Sequence, residues 1–166
     1  FAPEGNIVGE VPRGTGIIIM ANSNVEVFNN TMSGNGTVNL SIVSYSDDTD
    51  DENYYPHPKN IQIYDNVYGE SGFDPDVDTG VLAKELYKLS DGNMPDIFWD
   101  GVVPFRQMIF GQPEDEKLVI NEDSDVTFLT ISPIKYLLKL SNPIRTDISE
   151  FNGDIKPLDP ITIDSL

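Results

Sequence analysis

Short stretches of alternating apolar and polar residues recur along the chain. The segment Asn24–Asn30 (NVEVFNN) aligns with Asn60–Asn66 (NIQIYDN) at an offset of 36 residues. A second pair, Thr15–Ala21 (TGIIIMA) and Thr37–Val43 (TVNLSIV), aligns at an offset of 22. Alternation with a period of two is typical of β-strands that bury one face. Recurrence of such units is typical of repeat architectures, in which each unit packs on its neighbour.

The two alignments predict which residues lie side by side. Val25 aligns with Ile61, and Ile18 aligns with Leu40. The offsets differ because an insertion lies between the aligned pairs, at residues 44–59. No helix-length segment separates the strands of either pair, which argues against alternating strands and helices around a parallel sheet.

We therefore predict an all-β fold, a right-handed parallel β-helix (solenoid) of about three coils with inserted loops and one short helix. One domain covers residues 1–166, with coils over about 5–130 and a closing segment over 131–166. An antiparallel β-sandwich with Asn-Gly turns is the alternative. Asn30 and Asn66 are predicted to stack as a ladder at a sharp corner, because Asn tolerates the left-handed backbone conformation.

A third coil is predicted from a weaker sequence pattern. Asp96–Val102, which includes Trp99, predicts its first strand, and Lys117–Ile120 followed by Asn121 predicts its second. Between them and the second coil, residues 73–94 form another insertion with helical spacing, in which Val81, Leu82, Leu86 and Leu89 share one face. Asp78 or Thr79 is predicted to cap this helix and Gly92 to end it. Ile134–Leu140 predicts a short helix, and Asp159–Ile163 an extended segment.

Charge and composition exclude several classes of function. Of 166 residues, 28 are acidic and 10 basic, so the net charge is −18. Such a surface repels nucleic acid and anionic membranes. No run of 18 apolar residues predicts a membrane span. The chain has no cysteine, which excludes disulfides, thiolate catalysis and a CxxCH haem attachment.

The chain resembles the C-terminal part of a family of secreted bacterial proteins with parallel β-helix repeats, in the pectin-lyase-like superfamily. The resemblance spans most of residues 1–130. It is carried by Phe1–Gly5 (FAPEG), Pro12–Gly16 (PRGTG), Asn24–Asn30, Ile42–Tyr45 (IVSY), Pro95–Gly101 (PDIFWDG) and Val126–Leu129 (VTFL).

The resemblance implies an extracytoplasmic protein, which is periplasmic, an outer-membrane lipoprotein or secreted. It also implies that coils precede Phe1, so the chain is predicted to be a fragment with an open N-terminal coil. An open coil predicts end-to-end oligomers, because each coil buries its apolar face only against a neighbour. Genes of the family often neighbour one for a cytochrome-like protein, which leaves a redox accessory role open.

Enzymes of the superfamily include polysaccharide lyases, epimerases and hydrolases. A lyase needs a base and a cationic group that holds the uronate. The one histidine, His57, lies between two prolines in the first insertion, with Tyr55 and Lys59 nearby. These three are weak catalytic candidates, and the alternative is a surface loop shaped by its prolines.

A metal-like motif lies in the second insertion. Asp74, Asp76 and Asp78 alternate, and Glu85 falls at position 12 counted from Asp74, which is the ligand spacing of an EF-hand-type calcium loop. The glycine departs from that pattern, since Gly80 stands at position 7 and not 6. We predict a calcium site formed by these four residues, with an acidic segment that caps the following helix as the alternative.

These observations favour a non-catalytic binding or structural module over an enzyme. Its predicted partner is a polysaccharide or another protein. The alternative is a carbohydrate-active enzyme, lyase-like or epimerase-like, on the same scaffold. Exposed aromatic residues grouped beside a basic side chain in one groove would favour the enzyme or a glycan binder. The candidates are Tyr45, Tyr54, Tyr55, Tyr64, Tyr68 and Trp99.

Overall fold

A computed structural model describes residues 9, 11–46, 51–139 and 142–160. The strands are β1 Thr15–Met20, β2 Ser23–Phe28, β3 Thr31–Met32, β4 Val38–Val43, β5 Lys59–Tyr64, β6 Val67–Tyr68, β7 Ile97–Trp99, β8 Leu118–Asn121, β9 Phe128–Ile131 and β10 Ile144–Arg145. The helices are α1 Val81–Leu89, α2 Phe105–Phe110 and α3 Pro133–Leu137, and a 3-10 helix covers Ile148–Phe151.

The strands form three sheets, in which neighbours are distant in sequence. A five-stranded sheet has the order β1-β4-β7-β9-β10, a three-stranded sheet the order β2-β5-β8, and β3 pairs with β6. All pairs are parallel except β9 with β10, which is antiparallel. Strands of one sheet are joined by long connections, and these connections carry the helices.

The main core lies between the five-stranded and the three-stranded sheets. Leu40 and Ile97 from the first sheet pack with Ile61, Ile63 and Ile120 from the second, and all five are fully or almost fully buried. A second apolar cluster lies on the other face of the five-stranded sheet, where α1 covers it. Leu86 of that helix packs with Phe98 and Leu129. Because both faces are covered, β4 is buried at all six positions.

The prediction of an all-β right-handed parallel β-helix of about three stacked coils is wrong. The protein is a mixed α/β structure with three helices and small sheets of five, three and two strands, one of which is mixed. The physical reason lies in the connections. The amphipathic helix α1 buries Ala83 and Leu86 and thereby supplies part of the core, where we had placed only an inserted loop with a short helix.

The alignment of Asn24–Asn30 with Asn60–Asn66 is confirmed at the paired positions. Val25 pairs with Ile61, and Phe28 pairs with Tyr64 at the predicted offset. The Asn ladder is also present, since Asn30 Nδ2 donates to Asn66 Oδ1 at 3.1 Å. The row of contacts continues to Glu122, since Asn66 Nδ2 donates to Glu122 Oε1 at 2.7 Å.

The alignment of Thr15–Ala21 with Thr37–Val43 is wrong by one residue. Ile17, not Ile18, pairs with Leu40, and Ile19, not Met20, pairs with Ile42. A shift of one residue moves every side chain to the opposite face of a strand. Ile19 therefore lies in the main core, whereas Ile18 packs on the cluster beneath α1.

The predicted helices are present with different ends. Gly80, rather than Asp78 or Thr79, is the N-cap of α1, and no side chain caps it. Gly92 follows the helix in the left-handed conformation, and its N–H donates to the carbonyl of Tyr87. The tail helix α3 begins at Pro133 and ends at Leu137. Residues 1–8, at the start of the predicted open N-terminal coil, lie outside the described part of the chain. Residues 161–163, which make up most of the predicted extended segment Asp159–Ile163, also lie outside it.

Candidate functional site

The four predicted calcium ligands do not come together. Asp76 is buried, and its carboxylate accepts hydrogen bonds from the Arg13 N–H at 3.0 Å and from Thr79 Oγ1 at 2.6 Å. These bonds, chiefly that from Thr79, lower the pKa of Asp76. Glu85 pairs instead with Lys88. Across the described residues, no group of three or more Asp, Glu or His side chains could hold a metal ion. Asp76 thus fixes the turn before α1.

The three weak catalytic candidates do lie together. The rings of Tyr55 and His57 meet edge to face, with their centroids 5.6 Å apart. Lys59 Nζ lies 4.6 Å from the centre of the Tyr55 ring and 3.8 Å from Glu116 Oε1. Burial lowers the pKa of His57, which favours its neutral form near pH 7. Burial and the Glu116 charge raise the pKa of Tyr55, so this phenol is a poor base.

Two further residues, which the sequence did not single out, join this cluster. Ser44 Oγ lies 3.1 Å from His57 Nδ1 and 3.1 Å from the carbonyl of Val102. The Asp100 carboxylate accepts from the backbone N–H groups of Ser44 at 2.6 Å and of Val102 at 2.9 Å. Burial raises the pKa of Asp100 to about 6. Asp100 binds these backbone groups and the Ser44 side chain, and no contact with His57 is present among the described residues. A serine–histidine–aspartate relay, in which the carboxylate orients the imidazole, is therefore not assembled.

A groove of about 950 Å³ opens elsewhere, between α2, the ends of β8 and β9, and the C-terminal segment. Two buried residues, Trp99 and Thr130, lie beneath its floor, and Trp99 also belongs to the main core. Phe151 packs edge to face against Trp99 with ring centroids 5.5 Å apart. Gly101 also lines the floor. Its left-handed backbone lets the chain turn tightly beneath the carbonyl of Ile131, where a Cβ would clash.

The groove walls are polar, and acidic side chains outnumber basic ones among their described lining residues. Side-chain amides line them, namely Asn60, Gln62, Gln107, Gln112 and Asn152. Two of the basic side chains in the walls are paired with carboxylates: Arg145 with Glu150, and Lys117 with Glu114. Acidic residues are also present, so the walls favour a neutral polar ligand over an anionic one.

One polar atom at the floor has no partner. Thr130 is 1% exposed, and its Oγ1 accepts and donates no hydrogen bond within the described structure. Buried hydroxyl groups are normally paired, because desolvation without a partner costs free energy. This oxygen is closed to solvent, so a ligand hydroxyl would supply the missing partner where the floor opens to admit it.

The sequence could not indicate the groove, because its parts are far apart along the chain. Trp99, Gln107, Thr130 and Phe151 belong to four different elements. Trp99 is one of the aromatic residues predicted to bind a glycan, and the structure places it in this groove. Tyr64 and Tyr68, named with it, lie on the two other sheets.

No protein-family model, curated protein or solved structure matches the chain. The resemblance to pectin-lyase-like proteins therefore gains no support from these comparisons. None of the helices in the described ranges is long and apolar enough to cross a membrane.

Proposed function

We propose that the protein is a non-catalytic binding module that takes a neutral, hydroxyl-rich ligand such as a segment of a polysaccharide. The groove carries this proposal: its lining includes Trp99, which is 8% exposed, and several side-chain amides, and its acidic groups outnumber its basic ones. Aromatic rings bind the apolar faces of sugars, and amides bind their hydroxyl groups, so this lining suits an uncharged glycan.

The single tryptophan makes the proposal directly testable. Trp99 is the only one in the chain and lies at the floor of the groove. Titration with a panel of neutral oligosaccharides should shift or quench its fluorescence in a saturable manner. Absence of any saturable change across the panel would rule out a neutral-glycan groove.

Thr130→Val tests the role of the floor hydroxyl. Replacing it by a methyl group removes one hydrogen bond to the ligand, and we expect affinity to fall by roughly three- to tenfold. Thr15→Val is the matched control, since Thr15 also carries a buried unpaired hydroxyl but does not line the groove. Equal affinities for the two variants would place the ligand away from Thr130.

A carbohydrate-active enzyme is the second candidate, favoured by the contact of His57 with Ser44 and by the lowered pKa of the imidazole. A neutral His57 can accept the proton α to a uronate carboxyl group. β-Elimination on a polyuronate panel would create an unsaturated product that absorbs in the ultraviolet. Product that is formed by the natural chain and lost in His57→Ala would establish this function in place of the first.

Location and assembly remain predictions. We propose an extracytoplasmic location on the sequence resemblance alone. We also propose end-to-end assembly through β1, β2 and β3, which are the edge strands of their sheets in the described structure. Sedimentation over a range of protein concentrations tests assembly, and a monomer throughout would dismiss it.

A further inference from the structure

The C-terminal segment 153–158, here called the strap, crosses the outer face of the three-stranded sheet. It contacts one polar side chain from each strand in turn: Asn121 at β8, Gln62 at β5 and Glu26 at β2. The strap therefore runs across the strands and does not extend the sheet as a further strand.

All these contacts are made to the main chain of the strap. Asn121 donates to the Gly153 carbonyl at 2.8 Å and accepts from the Gly153 N–H at 3.1 Å. Gln62 likewise donates to the Lys156 carbonyl at 2.7 Å and accepts from the Lys156 N–H at 2.6 Å. Glu26 accepts from the Leu158 N–H at 3.0 Å. A side-chain amide can pair with both the N–H and the C=O group of one residue in an extended peptide. Such pairing does not depend on the side chains of the peptide.

Apolar burial contributes little to holding the strap, since Ile155 and Leu158 are only half-buried. No residue from 152 to 160 is buried, whereas Gln62 beneath the strap is only 3% exposed. Segments held by few apolar contacts open locally at a small fraction of the free energy of global unfolding. Opening would uncover a row of three polar side chains already spaced for a peptide backbone.

Charge indicates which peptide would replace the strap. The chain carries a net charge of −18, and the strap itself adds Asp154 against Lys156, with Asp159 directly after it. A basic segment gains electrostatic attraction that the strap lacks. We propose that this face is a binding site for an extended, basic polypeptide segment, which displaces the strap.

The test uses the full chain and a labelled nonapeptide with the sequence of residues 152–160, in which Asp154→Lys and Asp159→Lys are introduced. Fluorescence anisotropy should show saturable binding that weakens with added salt. Methylating the backbone nitrogens at Lys156 and Leu158 removes two of the hydrogen bonds, so affinity should fall by about tenfold or more. Methylation at Ile155, whose N–H faces none of the three side chains, is the matched control and should change affinity much less.

Hydrogen exchange locates the peptide on the protein. Saturating peptide should accelerate exchange of the Gly153, Lys156 and Leu158 amides, since the strap is displaced. Gln62→Met should abolish peptide binding, whereas Gln112→Met in the groove wall should not. Absence of binding, equal binding of the two methylated peptides, or unchanged exchange in the strap would each overturn the proposal; equal binding would reveal charge attraction alone.

Discussion

The core between the two larger sheets and the strap are held by opposite kinds of contact. In the core, Ile63 and Leu40 are fully enclosed by apolar side chains from both sheets. The strap is attached by hydrogen bonds from Asn121, Gln62 and Glu26, and none of its residues is buried. Burial of apolar area dominates the free energy of folding, while an individual hydrogen bond contributes about 1 kcal/mol net. The scaffold should therefore be stable where its C-terminal segment is not.

The largest expected effect comes from removing volume in the core. Ile63→Ala should lower the free energy of unfolding by about 2–5 kcal/mol, because it removes apolar contacts and leaves a cavity. Val67→Ala, at a position that is 60% exposed, is the control and should change it by less than about 0.5 kcal/mol. Denaturant titration measures both. Similar losses for the two variants would show that the interface between the sheets is not the principal core.

The next effect is a dependence on pH at Asp100. Burial raises its pKa to about 6 in the folded protein, against about 3.9 in an unfolded chain. A raised carboxyl pKa contributes stability that is present below the unfolded pKa and is lost as pH rises through the folded pKa. Between pH 4 and 7 the natural protein should therefore lose up to roughly 3 kcal/mol relative to Asp100→Asn, which does not titrate.

Asp125→Asn is the control for the loss of one negative charge, since Asp125 is exposed. Asp100→Asn will itself weaken one of the bonds to the Ser44 and Val102 N–H groups, which lowers stability at every pH. The quantity to follow is therefore the difference in free energy of unfolding between the natural protein and Asp100→Asn, measured as a function of pH. A difference that stays constant from pH 4 to 7 would mean that the Asp100 carboxyl is not desolvated.

How far the fold could be predicted depends on how distinctive each repeat was. The offset between Asn24–Asn30 and Asn60–Asn66 was fixed by polar residues at both ends of an alternating strand, and the structure keeps it. The run Ile17–Ile18–Ile19 has no alternation, so either register satisfied the pattern and the wrong one was chosen. The pattern predicts the repetition of strands correctly at several positions. It does not predict the class of fold, because it places α1 in an inserted loop and not against the core, and because it does not indicate α2.

The candidate site was less predictable than the strands. Tyr55, His57 and Lys59 could be named because they are neighbours in sequence. Ser44 and Asp100 could not, since their link to His57 depends on the pairing of β4 with β7. The calcium motif failed for a related reason: the spacing of acidic residues carries no information about whether Asp76 is already engaged by Arg13 and Thr79.

The smallest effect on overall stability, and the sharpest test of the contrast between core and strap, is expected from Asn121→Leu. The leucine keeps the volume of the side chain but loses both hydrogen bonds to Gly153. We expect the free energy of unfolding to fall by no more than about 1–2 kcal/mol. Exchange of the strap amides should accelerate, whereas exchange at Leu40 and Ile63 should follow only the small global change.

Asn93→Leu is the matched control, since Asn93 is exposed beside α1 and its side chain makes only long contacts of 3.5 Å, to the carbonyls of Ser90 and Asp91, within the described structure. It should leave exchange in the strap unchanged. If Asn121→Leu instead accelerated exchange in the core and the strap to the same extent, the two would unfold as one cooperative unit. The strap would then be an integral part of the scaffold, and its displacement by another polypeptide would cost as much as unfolding the protein.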